Sequence, residues 1–144
     1  MAITFTLYGE LSLTLPNKEI ALTDGNVKLS LHTNSYSPNK DTDKYFSSAT
    51  NEVTNGSGYT TGGVALSNST LTYVAGTHTG TFDADDAAWL ALTKTFRYAV
   101  LRYDTGNSAT SALIGWVNFG ADENISNQNF TVVWDASGIF NMVM

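Results

Sequence analysis

The chain has 144 residues, 42% of them apolar and 14% charged, a length that fits one domain with a full hydrophobic core. It contains no cysteine, which excludes disulfides, thiolate catalysis, cysteine-ligated zinc and iron–sulfur clusters. Thirteen acidic against seven basic residues leave a net charge of −6; this disfavours a nucleic-acid groove or an anionic membrane surface, since both partners are polyanions.

Residues 1–26 carry two overlapping patterns. Ile3, Phe5, Leu7 and then Leu11, Leu13, Leu15 alternate as in a strand, while Leu7, Tyr8, Leu11 and Leu15 form a helical stripe that stops at Pro16-Asn17. Periodicity leaves a strand and one short N-terminal helix both open here. The segment has no basic n-region and its apolar residues are interrupted by Thr, Gly, Glu and Ser, so the expectation is a chain used without Sec export. No apolar run approaches the ~20 residues of a membrane-spanning helix.

After a turn at Thr23-Asp24-Gly25-Asn26, the pattern sharpens. Val27, Leu29 and Leu31 alternate with Lys28, Ser30 and His32, which predicts a half-buried strand with His32 on its polar face. Residues 34–63 form a long irregular stretch with a short helical turn expected within 43–48. A connection of this length has a use or its own packing, and Tyr36, Tyr45, Phe46 and Tyr59 can pin it to the body. Residues 71–75 and 79–83 bracket Gly76-Thr77-His78 as a hairpin. Residues 95–104 are apolar on both faces and predict a central strand; residues 112–119 are similar. Residues 130–135 and 139–144 flank Ala136-Ser137-Gly138 and read as a last hairpin. Phe96, Tyr98, Val100, Val117, Phe119, Val132 and Trp134 are expected to face the core.

Thr, Ser and Asn together supply 46 of the 144 residues. Thr suits a pleated surface, and Asn and Ser suit turns. Several short strands with turn residues between them predict an all-β chain, residues 1–144 forming a single antiparallel β-sandwich of about 7–8 strands, with a long loop at 34–63.

Residue types that carry chemistry are sparse. His32 and His78 lack a Gly-x-Ser-x-Gly elbow or another triad context, so both read as solvated histidines. Asp41, Asp43 and Glu52 match positions 1, 3 and 12 of a calcium loop, but Phe46 stands where such a loop needs Gly. Asp83, Asp85 and Asp86 read as turn carboxylates. Trp89, Trp116 and Trp134 offer sugar stacking if exposed and core packing if not. The expectation is a protein that is not an enzyme and uses no cofactor or metal.

Some of these residues occur together in a recognisable order. The run from Val27 to Pro38 (VKLSLHTNSYSP), followed by Asp41-Thr42-Asp43, resembles the opening of a family of small tailed-bacteriophage virion accessory proteins. Asn51-Glu52-Val53, Gly58-Tyr59-Thr60-Thr61-Gly62-Gly63 and Phe82-Asp83-Ala84-Asp85-Asp86 with Trp89 extend the likeness. Arg97-Tyr98-Ala99-Val100, Asp104-Thr105-Gly106, the run 113–120 (LIGWVNFG) and the run 130–138 (FTVVWDASG) continue it, so that it covers residues 17–140. The resemblance implies a β-sandwich that decorates or cements the outer capsid by binding the lattice of the major capsid protein. It implies assembly in the host cytoplasm and no catalytic residues. A tail, neck or baseplate component bound to another virion structural protein is the alternative, and a carbohydrate-binding module for host recognition a further one. Self-association into a homo-oligomer stays open. Docking through the aromatics of the 34–63 stretch, Tyr36, Tyr45, Phe46 and Tyr59, is weighed equally against their fastening that stretch to its own body.

Overall fold

The computed structural model describes residues 4–144, so Ile3 of the N-terminal pattern lies outside the described residues. Among the described residues eight strands form two antiparallel sheets packed as a β-sandwich. In chain order they are β1 (Thr4–Leu7), β2 (Val27–His32), β3 (Val64–Ala65), β4 (Thr70–Val74), β5 (Thr79–Asp83), β6 (Ala87–Tyr103), β7 (Leu113–Val132) and β8 (Phe140–Val143). A short helix, α1 (Leu11–Thr14), follows β1, and a 3-10 turn covers Phe46–Ser48. The larger sheet runs β1-β7-β6-β2-β3 and the smaller β4-β5-β8.

At the N-terminus the strand and helix patterns hold in succession. Phe5 and Leu7 alternate in β1 against Val117 and Gly115 of β7. The chain then turns at Gly9 into α1, which buries Leu11 and leaves Leu13 exposed. Gly115 is small because Phe5 crosses it: a Cβ there would meet the Phe5 ring at 2.5 Å and the Thr6 carbonyl at 2.7 Å. Gly63 lies at φ +80°, and a Cβ would fall inside the Leu29 carbonyl; only glycine lets β3 approach β2 here.

The two long strands exceed expectation. Between 112–119 and 130–135 the polar run GADENISNQN suggests a connection, yet β7 continues through it against β6. Side chains carry what the irregular ladder cannot. Thr95 Oγ1 donates to Asn124 Oδ1 at 2.8 Å, the Ala91 N–H to Asn129 Oδ1 at 3.1 Å, and the Asn127 N–H to Thr93 Oγ1 at 2.9 Å. Asn and Thr thereby replace backbone partners at bulges.

A register shift between Phe96 and Tyr98 corrects the expected core face. Phe96 belongs to the main core, and so do Ala99 and Leu101. Val100 is buried on the opposite face with Tyr8, Tyr36, Ala49 and Leu113, and Tyr98 is only half-buried. An irregularity that breaks strict alternation moves every later side chain to the other face. Val117, Phe119, Val132 and Trp134 do lie in the main core. Its centre is a triangle of edge-to-face rings, Phe96, Phe119 and Phe130, with centroids 4.9–5.5 Å apart.

The expected last hairpin does not form. β7 ends at Val132, and β8 pairs with β5 in the other sheet. Residues 133–139 cross between the layers. The Trp134 N–H donates to Asp86 Oδ1 at 2.9 Å, Asp135 caps a tight turn through Ser137, and the Ile139 N–H reaches the Phe82 carbonyl at 2.8 Å. Alternation marks a strand but not its partner, so the sequence pattern is the same for a hairpin and for a crossing.

Candidate functional site

Residues 36–49 cover the outer face of β2 and β6 through Tyr36, Phe46 and Ala49, while residues 51–53 run along β2 and Val53 and Tyr59 join the main core. That placement corrects the reading of His32 as a solvated side chain. His32 and Ser30 are fully buried. Ser30 Oγ and His32 Nε2 are 2.9 Å apart, and His32 Nδ1 lies 2.7 Å from the Thr50 carbonyl. Because a carbonyl only accepts, Nδ1 carries the proton and Nε2 accepts from Ser30. The imidazole is further enclosed by the Tyr36 and Phe46 rings, with centroids at 5.5 and 5.8 Å. The pair resembles a nucleophile beside a base, but both groups are sealed from substrate and the histidine is oriented by a backbone carbonyl. It is a clasp between the sheet and the stretch above it. His78, in contrast, sits at the exposed β4–β5 turn.

Each aromatic singled out in the sequence fastens the stretch. The Tyr36 hydroxyl donates to Asp43 Oδ2 at 2.8 Å and accepts from the Tyr8 hydroxyl at 2.8 Å. The Tyr59 hydroxyl donates to Glu52 Oε2 at 2.5 Å and accepts from the Leu31 N–H at 3.1 Å. The half-buried Tyr45 donates to Glu19 Oε1 at 2.6 Å. Arg102 lies over the half-buried Phe46 ring, 3.8 Å from its centroid, and donates to the Gly62 carbonyl at 3.0 Å; a desolvated guanidinium on an aromatic face contributes about 2 kcal/mol. Tyr36 and Tyr59 are 3% and 2% exposed, so their rings offer no surface to a partner.

The acidic residues also have structural partners. Asp43 Oδ2 receives the Asn39 N–H as well as Tyr36, and Glu52 Oε2 receives the Gly62 N–H as well as Tyr59. Asp83 Oδ1 takes the Ala84 N–H, and Asp85 takes Asn68 Nδ2. Asp41, Asp43 and Glu52 are not brought together into a ligand set: among the described residues no three His, Asp or Glu side chains converge. Of the tryptophans, Trp89 and Trp134 are buried and Trp116 is half-buried with its ring against Tyr8 at 4.7 Å.

What the stretch presents outward is mostly neutral and polar: Ser37, Asn39, Thr42, Ser47, Ser48, Thr54 and Thr60 are exposed, with Lys40 and Asp41 an adjacent pair of opposite charges among them. A concavity of about 370 Å³ opens between α1 and β8, lined by Leu7, Leu11, Leu15, Phe140 and Met142 with Lys40 also on its wall.

Burial holds the His32 pKa below its ordinary value, desolvation outweighing its bond to the Thr50 carbonyl. The unfolded chain therefore takes up a proton that the native state refuses. Stability is complete above about pH 6.5 and falls as the pH is lowered, by up to ~1.4 kcal/mol per pH unit until the native histidine titrates. Urea midpoints measured between pH 7 and pH 5 are expected to fall in the parent chain and to stay nearly flat in His32→Gln. Equal slopes in the two would show that the clasp is not the titrating element.

Comparison with protein-family models, with curated proteins and with solved structures returned no match.

Proposed function

We propose that the chain is a non-enzymatic structural protein of a tailed-phage virion that decorates the outer capsid by binding the lattice of the major capsid protein. The observation that carries this reading is the pinned 34–63 stretch. Its four aromatic side chains and the carboxylates of Asp43 and Glu52 are committed to holding it in place, and apart from the adjacent Lys40 and Asp41 its exposed side chains are uncharged hydrogen-bonding groups. A surface ordered before it meets its partner loses little conformational entropy on docking. The likeness of residues 17–140 to small virion accessory proteins supports the same reading. An acidic body suits the outside of the shell, because a charge of −6 per copy against packaged nucleic acid would be repulsive.

The docking groups in this reading are the exposed hydroxyls and amides rather than the tyrosines that fasten them. Ser48→Arg and Thr60→Arg, introduced singly, place a bulky charge on this face without touching the core. Each is expected to lower retention on purified capsids at least tenfold while leaving the urea midpoint unchanged. Undiminished retention in both would remove the 34–63 stretch as the docking face. Copy number decides the location: hundreds of copies per virion indicate the capsid, and a few to a few dozen indicate the tail, neck or baseplate.

A further inference from the structure

The smaller sheet has two edge strands, β4 and β8, and β4 is the more exposed of them. β4 pairs with β5 from Thr70 opposite Asp83 to Val74 opposite Thr79, with unbroken register. On its other side it has no hydrogen-bonded strand among the described residues. All five of its residues are exposed, and Leu71, Tyr73 and Val74 retain 51%, 58% and 52% of their accessible surface.

An uncovered edge presents N–H and C=O groups that template another strand, and proteins normally blunt such edges with lysine, proline, bulges or a covering loop. β4 has none of these. Its sequence TLTYV holds no charge, proline or glycine, and residues 70–82 contain no Asp, Glu, Lys or Arg. The other edge strands are less exposed: β8 runs beside the α1 groove with Phe140 buried and Met142 half-buried although Val143 is exposed, β3 is two residues long, and three of the four β1 residues are half-buried.

We infer that β4 pairs antiparallel with β4 of a second copy of this chain, joining the two smaller sheets into one continuous sheet. Charge selects that occupant surface. Each copy carries −6, so two copies repel over most of their exteriors; the uncharged β4–β5 hairpin is where they approach without setting like charges together. The strand is also self-complementary about Thr72. With Thr72 opposite Thr72 on the two-fold axis, Leu71 of each copy faces Tyr73 of the other on one side of the sheet, and Thr70 faces Val74 on the other. Aliphatic–aromatic and Thr–Thr cross-strand pairs are favourable ones. Two five-residue strands make a contact at the small end of the interface scale, under ~1,200 Å², so the dimer dissociates on dilution. The inference does not depend on the virion reading.

Sedimentation equilibrium over a concentration series tests it. The parent chain is expected to show a monomer–dimer equilibrium. Thr72→Lys and Thr72→Glu each place like charges across the axis and should each raise the dimer Kd at least tenfold, while an equal mixture of the two should associate again. Thr72 is exposed, so unchanged far-UV spectra and urea midpoints will verify that the variants fold. The chain has no cysteine, which permits a register test: under mild oxidation Thr72→Cys should cross-link faster than Thr70→Cys, whose opposite residue is Val74. A parent chain that stays monomeric at millimolar concentration would overturn the inference. So would a dimer indifferent to both charges, or equal cross-linking rates at the two positions.

Discussion

Phe96→Ala is expected to destabilise the chain by about 3–5 kcal/mol, the cost of removing a fully buried ring and leaving a cavity. Phe96 touches Phe119 and Phe130 edge to face and is wholly buried, so its loss also forfeits two aromatic contacts of about 0.5–1.5 kcal/mol each, part of the same total. Tyr98→Ala, two residues along the same strand, is expected to cost distinctly less. The register shift between the two positions puts Tyr98 on the other face, half-buried. Urea denaturation of both variants checks the pair: similar losses would mean that the alternation continues through the shift and that Tyr98 shares the Phe96 core.

The second large effect is alkaline. Burial holds the hydroxyls of Tyr8, Tyr36 and Tyr59 far above the ordinary phenol range. At Tyr36 the neighbouring Tyr8 and Asp43 act in the same direction, and at Tyr59 the Glu52 carboxylate does. Raised values mean that the stabilisation is complete below about pH 10 and is lost as the pH rises. The unfolded chain then releases protons that the native state retains. Each buried phenol contributes up to ~1.4 kcal/mol per pH unit to this loss, so the three together give a steep descent of roughly 4 kcal/mol per pH unit. The chain is expected to unfold cooperatively a short way above pH 10, with ultraviolet tyrosinate absorbance and loss of β signal rising in one transition. Tyr36→Phe should make the alkaline descent shallower. Ionisation of all seven tyrosines while the sheet signal persists would contradict the buried hydroxyl network.

Short strands were legible wherever alternation met a turn residue. β2 follows Val27, Leu29 and Leu31, and the β4–β5 hairpin follows the Gly76-Thr77-His78 break. What escaped the pattern has particular causes. Residues 120–129 are composed like a loop, yet they extend β7 because Asn124, Asn129 and Thr93 supply hydrogen bonds across the bulges. The parity of 96, 98 and 100 fails at one register shift. His32 and Ser30 look solvent-facing because the covering segment comes later in the chain, and no local window contains both layers. The candidate site was readable as a stretch rather than as a set of contacts. Four aromatics in a polar, irregular segment signalled fastening or docking, and only the positions of Asp43, Glu52, Glu19 and Arg102 show what each ring holds. The acidic clusters could have given a clue: Asp43 and Glu52 lie each seven residues from the tyrosine that binds them.

The closing of the sandwich imposes an order on its birth. Thr4 pairs with Asn118 and Leu7 with Gly115, so β1 leaves the ribosome more than a hundred residues before the strand it pairs with. A nascent chain ending before Gly115 holds β1 with its apolar side chains unpartnered, while the β4–β5 hairpin, whose strands are near neighbours in sequence, can already form. Loop closure over such a span must be met before the β1 ladder rewards it, which makes long-range strand pairing intrinsically slow. β8 follows β7 in sequence and completes the smaller sheet by pairing with β5. β1 and β8 are thus the final stitches, and until they are drawn each sheet lacks one of its strands.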